Sequence, residues 1–373
     1  MLEPLEDGSA LLLAAAAAAL VWANTPLATW HEALFNRPLA GLPFTLAALV
    51  NGPLMMLFFF RIGLEIKRER VSGHLKTTAQ VLLPLVGAAG GMLVPAAIYF
   101  AFNPHGPGAR GWGITVATDI AFSLAVLRLA GDRVPRGLLV FLTTLAIFDD
   151  LGGILVIALY YGAGLHLLPL LAAAAVCALL FLLDRLQVQS LFPYLGCGAA
   201  LAGAFHFAGI HMTLAGVVLG LFVPAHGERS PLERFEKLLH PWSAFLIVPL
   251  FALANSAVSF RGALSGIASP VALGVSLGLF LGKPLGITAA TFFAVKLGLS
   301  SLPGGATVQR LHAVATVAGI GFTVALFIGN LAFVDAGLLR EAKLGILVGS
   351  IASALLGVVL LAVPESAMRR SRN

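Results

Sequence analysis

The chain has 373 residues, of which 59% are hydrophobic before glycine is counted and only 11% are Asp, Glu, Lys or Arg. Soluble domains carry about 45–50% apolar residues with glycine included and about 25% charged residues. This composition excludes a soluble enzyme, a disordered chain and a nucleic-acid-binding domain, and it makes the net charge of +6 a question of topology.

The N-terminus, MLEPLEDGSA, is acidic, whereas a secretory signal needs a positive n-region. The apolar run from Ala10 to Ala23 therefore reads as a retained first helix. A spanning helix needs about 20 apolar residues. Apolar runs separated by short polar clusters predict twelve of them, over 9–25, 47–66, 79–101, 113–130, 138–161, 165–183, 190–206, 208–224, 242–260, 267–294, 311–333 and 343–363. The runs are continuous, unlike the alternating ten-residue segments of a β-barrel. The expected fold class is an all-α membrane protein. Residues 1–373 read as one integral membrane domain whose longest connection is 225–241. Cys177 and Cys197 both lie in apolar runs and make neither a metal-ligand spacing nor a disulfide framework.

Loop charge orients the chain. With the N-terminus inside, the inside loops and tail hold sixteen Lys and Arg, from Lys67 to Arg372. The outside loops hold five, namely Arg37, Arg110, Arg261, Arg340 and Lys343, while Arg61 and Lys283 fall within helices. A threefold excess on one side is the positive-inside pattern. It places both termini in the cytoplasm.

Four charges sit where the bilayer resists them: Asp119, Asp149, Asp150 and Lys283. A charge at the bilayer centre costs about 2.5–3.5 kcal/mol on insertion scales, so such residues face a protein interior or a water-filled cavity and pair with one another. Asp149 and Asp150 are adjacent in TLAIFDDLGGILVIAL and project about 100° apart on a helix. Two nearby carboxylates repel, so one can hold a proton and release it when a cation arrives. Oxygen ligands suit hard cations such as Na⁺. Lys283 lies in LGLFLGKPLGI just before Pro284, where it can hold Asp149 in a salt bridge or carry a proton itself. Asp119 follows Thr118 in GWGITVATDIAFSL, and a second glycine-interrupted segment, AGIGFTVALFIGN, carries Gly319, Gly321, Thr323 and Gly329. Glycine-interrupted spans in two halves of a chain point to broken helices around a midplane ion site. An Asp near one break and a Lys near the other balance the exposed half-helix ends.

Two other readings compete. An intramembrane aspartyl protease would pair Asp119 with Asp149 or Asp150 over a water. The Gly-x-Gly-Asp signature of that class is absent, and a lysine in the same core disturbs a shared-proton dyad. A passive cation channel needs a pore loop or an acidic ring, and neither is visible.

ATDIAFSLAVL, LAIFDDLGGILVIAL, GIHMTLAGVVLGLFVP, FALANSAVSF, GKPLGI, GIGFTVALFIGNLAF and AKLGILVGSIAS, with GLEIKRE at 63–69 and LLHPW at 238–242, resemble the signature segments of bacterial NhaA-type sodium/proton antiporters. The resemblance runs in order from about residue 8 to 355. It implies twelve helices with both termini inside. Helices three to five and ten to twelve form inverted repeats, and the fourth and eleventh are broken and cross near the midplane. It implies electrogenic exchange of Na⁺ or Li⁺ for H⁺ in the inner membrane of a bacterium, without a cofactor, serving cytoplasmic pH and sodium control.

By the same resemblance, Asp149 and Asp150 are the ion-binding pair, with Asp150 the primary sodium ligand. Thr118 and Asp119 match the first break, and Lys283 matches the partner of the first aspartate of the pair. Glu65, Arg68, Glu69, His211, Glu236 and His240 match positions tied to pH response. There are departures. The family often has an aspartate in the second helix, in NDALM, where Asn51 is here followed by Gly52 and Pro53. Some members form homodimers through a β-hairpin in the region of Phe35 to Val50, where Pro38 and Pro43 disfavour a paired strand interior.

Overall fold

The computed structural model describes residues 8–38, 41, 43–73, 78–129, 131, 134–162, 164, 166–227, 230–260, 266–304 and 306–363. Both chain ends, and with them Lys76, Arg133, Arg229, Arg261, Arg369, Arg370 and Arg372 of the orientation count, lie outside these residues. Among the described residues every regular element is a helix. The helices are α1 (Ser9–Ala23), α2 (Ala28–Asn36), α3 (Leu46–Val71), α4 (Thr78–Phe102), α5 (Ile120–Leu129), α6 (Arg136–Tyr160), α7 (Leu167–Arg185), α8 (Phe192–Ala208) and α9 (Thr213–Phe222). They continue with α10 (Pro231–Asn255), α11 (Pro270–Lys296), α12 (Val308–Val317), α13 (Phe322–Ala332) and α14 (Ala336–Ala362). A 3₁₀ segment, Pro107–Val116, precedes α5.

Seven of these helices are long and apolar enough to cross a membrane, or nine if each of two bent pairs counts as one span. The bent pairs are α1 with α2, at 116°, and α12 with α13, at 51°. All twelve expected runs are helical, and two of them, 113–130 and 311–333, are interrupted as the glycine pattern predicts. The region of the hairpin expectation holds one isolated antiparallel bridge, Pro38 to Thr45, and no strand among the described residues.

Two starts were misplaced by hydropathy. α10 begins at Pro231, not 242, because Ser230 caps it by accepting the Glu233 N–H at 3.3 Å, so the helix runs on through PLERFEKLLHPW. The 225–241 connection is accordingly mostly helix. α14 begins at Ala336, not 343, capped by Asp335, which accepts the Leu338 N–H at 2.8 Å. Arg340 and Lys343, counted as loop charges, therefore stand on its first turns. Conversely, α9 is only ten residues long and leaves His211 just outside it.

Three long helices contain a π-turn, at Val50–Leu54, Ser243–Ile247 and Gly278–Gly282. Each encloses or closely precedes a proline, Pro53, Pro249 or Pro284. A proline lacks the N–H and crowds the carbonyl one turn back, which a widened turn relieves.

The chain forms two compact units. One comprises Met1–Lys76 and Val156–Ser259, the other Thr77–Leu155 and Phe260–Asn373. In the first, α3 packs on α9, and a side chain at Gly220 would overlap the backbone of Gly63 and Leu64. In the second, α4 packs on α11 where Gly90 meets Gly286, each backbone occupying the space a side chain on the other would need. α14 packs along α11, α12 and α13. Segments 79–161 and 267–363, the expected repeats, belong to the second unit apart from the last turn of α6.

Candidate functional site

The second unit is built around two interrupted helices. After the 3₁₀ segment the backbone is extended at Ala117, and α5 begins at Ile120. α12 ends at Val317, with the Gly319 and Ile320 N–H groups tightened onto the Thr316 and Val317 carbonyls. The two breaks meet: the Asp119 N–H donates to Ile320 O at 2.6 Å. A break inside a membrane exposes backbone groups that must find partners in the protein. Here side chains supply them. The Thr118 hydroxyl reaches Ala318 O at 2.9 Å, and the Ser123 hydroxyl reaches Val317 O at 3.1 Å.

Asp119 serves the opposite ends. Its Oδ1 accepts the Phe122 N–H at 3.0 Å, capping α5. Its Oδ2 accepts the Thr323 N–H at 3.0 Å and also the Thr323 hydroxyl, at the start of α13. One buried carboxylate thus faces the partly positive N-termini of two half-helices.

Lys283 reaches the first break through Thr118. It stands at the end of the Gly278–Gly282 π-turn, fully buried. Its Nζ donates to Asp149 Oδ2 at 2.6 Å and to Thr118 Oγ1 at 2.5 Å. The Thr118 hydroxyl also lies 2.7 Å from Asp149 Oδ2. It has one proton to give, to Asp149 or to Ala318 O, and a lone pair for the ammonium. Asp149 and Lys283 are both 0% exposed, and Asp149 Oδ1 is buried with no hydrogen-bond partner. Asp150 is buried next to it on α6. The arrangement can hold a cation between carboxylate and hydroxyl oxygens, and it can exchange protons at Asp149, Asp150 and Lys283.

The structure therefore brings Thr118, Asp149 and Lys283 into mutual contact. It places Asp119 at the adjacent break, occupied with helix ends rather than with the Asp149 cluster. The residues that sequence reasoning left without a role are Thr323 and Ser123. Each hydroxyl sits four residues beyond a break residue, Gly319 or Asp119, and that spacing was the available signal. Among the described residues no three His, Cys, Asp or Glu side chains form a metal-binding group.

The remaining charged candidates lie in the first unit. Glu65 and Arg68 from α3 and Glu236 and His240 from α10 line one crevice of about 350 Å³, together with Arg61 and Lys237. Arg68 bonds Glu236 at 3.2 Å and Glu69 at 3.5 Å. Arg61, which the sequence singled out only as lying within a helix, reaches Ser243 Oγ at 3.4 Å. Lys67 is turned away to Asp184, at 3.2 Å, and Leu221 O, at 3.0 Å. His211 is outside this crevice, with its Nδ1 2.8 Å from the Thr213 hydroxyl. At Gly52, where an acid is absent, a side chain would meet the Met212 sulfur, and the neighbouring Asn51 accepts from Asn255 at 2.9 Å.

Comparison with known proteins follows the same outline. A family model described as "Na+/H+ antiporter 1" matches residues 1–361. The chain is 48% identical to "Na(+)/H(+) antiporter NhaA 1" of Myxococcus xanthus, over 96% of this chain and 91% of that protein. It is 48% identical to "Na(+)/H(+) antiporter NhaA" of Caulobacter vibrioides, over 97% of this chain and 90% of that protein. Among solved structures it is similar in fold to the sodium proton antiporter MjNhaP1 from Methanocaldococcus jannaschii. That match has a TM-score of 0.54 and 15% identity, and covers 95% of this chain and 92% of that one.

Proposed function

The chain belongs to the Na+/H+ antiporter 1 family, the NhaA antiporters, and from that premise we propose that it exchanges Na⁺ or Li⁺ for H⁺ at Asp149 and Asp150. It is a multi-pass membrane protein and a secondary transporter. The observation that carries the site is the fully buried contact of Asp149 with Lys283 and Thr118, beside Asp150 and with Asp149 Oδ1 left without a donor.

Charge bookkeeping gives the cycle. In the proton-loaded carrier, Lys283 is an ammonium paired with Asp149 and Asp150 is protonated, so the cluster is neutral. Arrival of Na⁺ replaces two protons, one from Asp150 and one from the Lys283–Asp149 pair. The freed oxygens of both aspartates, with the Thr118 hydroxyl, then hold the cation, and the cluster carries one net negative charge. Each cycle moves one charge, so a membrane potential drives it with about 2.3 kcal/mol per 100 mV. Cation and proton compete for the same carboxylates, and access alternates as helical bundles move.

Twelve crossings with both termini in the cytoplasm, and inverted repeats over helices three to five and ten to twelve, complete the reading. The loop-charge asymmetry and the paired breaks support it. The crevice residues Glu65, Arg68, Glu236 and His240, with Glu69 and His211, carry the pH response, in a bacterial inner membrane where exchange controls cytoplasmic pH and sodium. A homodimer belongs to this reading through the resemblance alone.

The test uses purified protein in proteoliposomes with an acid-inside pH gradient. Na⁺ and Li⁺ added outside collapse the gradient and K⁺ does not. A gradient that survives Na⁺ at every pH from acid to alkaline overturns the proposal.

A further inference from the structure

α14 carries buried hydroxyls that make no contact with Asp149, Lys283 or Thr118 through a hydrogen bond. Ser350 and Ser353 are 4% and 0% exposed, and neither Oγ has a hydrogen-bond partner. A buried hydroxyl left unpaired costs about 1–3 kcal/mol, so it needs a physical explanation. The surroundings of Ser353 supply one.

Ser353 Oγ lies against Gly319, at the break between α12 and α13. A side chain at Gly319 would meet three oxygens there: Leu279 O, Ser353 Oγ and Thr316 O. Leu279 belongs to the π-turn that ends at Lys283. In a regular α-helix the Lys283 N–H would donate to Leu279 O; here it donates to Gly278 O, and the next residue, Pro284, has no N–H. A hydroxyl without an acceptor and a carbonyl deprived of its regular helical donor therefore face the same point in the core. Three elements converge on it: the π-turn bearing Lys283, the break in α12–α13, and α14.

We infer that Ser353 is a positioning residue for Lys283: its hydroxyl bonds Leu279 O in the other access state, clamping the π-turn, and lets go in the state seen here. This rests on the reading of Asp149, Asp150 and Lys283 as the exchange site. A bond gained on switching stabilises the state that holds it, so its loss slows the switch without touching the sodium ligands. Ser350, three residues before Ser353 on the same helix, serves as the comparison. It is likewise buried and unpaired, but it is not among the atoms that crowd Gly319 beside Leu279 O.

The experiment measures sodium-driven exchange and thermal unfolding for wild type, Ser353→Ala, Ser353→Cys and Ser350→Ala in proteoliposomes and detergent. Ser353→Ala lowers Vmax about five-fold, the size of one neutral hydrogen bond. It leaves KM for Na⁺ within about two-fold, and Tm is unchanged or higher because an unpaired hydroxyl has gone. Ser353→Cys, with a weak donor of similar size, falls between. Ser350→Ala exchanges like wild type. A wild-type Vmax in Ser353→Ala overturns the inference. So does a joint loss of Vmax and Tm, or a failure to fold, since each means that Ser353 only packs. Absence of exchange in the wild type would instead overturn the proposed function.

Discussion

The buried cluster of the second unit and the charged crevice of the first use the same residue types in opposite ways. In the cluster, Lys283 and Asp149 are 0% exposed and meet at 2.6 Å, with Thr118 bonded to both. In the crevice, Arg68 is 44% exposed and meets Glu236 at 3.2 Å and Glu69 at 3.5 Å. Removing one partner of a buried pair strands a charge and costs about 3–5 kcal/mol, whereas exposed pairs contribute about 0–1 kcal/mol. The first arrangement is therefore intolerant and suited to an ion that replaces a proton. The second is tolerant and suited to adjusting a rate. Asp119 extends the contrast, since its carboxylate is spent on three donors from two half-helices.

The comparison can be broken at its strong end first. Asp150→Asn keeps the size of the side chain and removes its charge. It is expected to abolish Na⁺-driven proton movement while the protein still folds, as read by size-exclusion chromatography and a melting curve. Full activity in this variant would remove Asp150 from the site. Lys283→Met comes next: Asp149 loses its ion pair, and unfolding by heat should occur at markedly lower temperature, in line with about 3–5 kcal/mol. Adding Asp149→Asn to Lys283→Met should recover part of that loss, and a double-mutant cycle without coupling would mean that the two do not act as a pair.

Thr323→Val tests whether the break is held by Asp119. It removes one of the donors to a buried carboxylate and keeps the Thr323 N–H, so the expected cost is about 1.5–3 kcal/mol with a lower Vmax. A Tm equal to wild type would show that the hydroxyl is dispensable. Arg68→Ala is the smallest change. Less than about 1 kcal/mol of stability should be lost, and exchange should persist with an altered dependence on pH. Loss of all exchange would place the crevice in the essential machinery and erase the contrast.

Much of this was legible before any coordinates. The four intramembrane charges could not be solvated by lipid, so Asp119, Asp149, Asp150 and Lys283 had to gather in a protein interior. The glycines around Gly319 and Gly113 gave the interrupted spans. The partition of labour was hidden. Nothing in ATDIAFSL separates Thr118, which joins Lys283, from Asp119, which joins Thr323, because backbone direction at the break decides it. The charged first turns of α10 and α14 escaped hydropathy, although Ser230 and Asp335 stood at the cap positions. The contact of Arg61 with Ser243 joins residues 182 apart in sequence and had no local signature.

The central claim is that sodium and protons compete for one buried carboxylate cluster, and calorimetry of sodium binding to the detergent-solubilised protein tests it most directly. Titration with NaCl in buffers of different ionisation enthalpy reports the protons released per ion bound. The account predicts a heat that depends on the buffer, approaching two protons per sodium where the site is fully protonated, and no sodium-dependent release in Asp150→Asn. Sodium binding with a heat independent of the buffer, or unchanged release in Asp150→Asn, would contradict it.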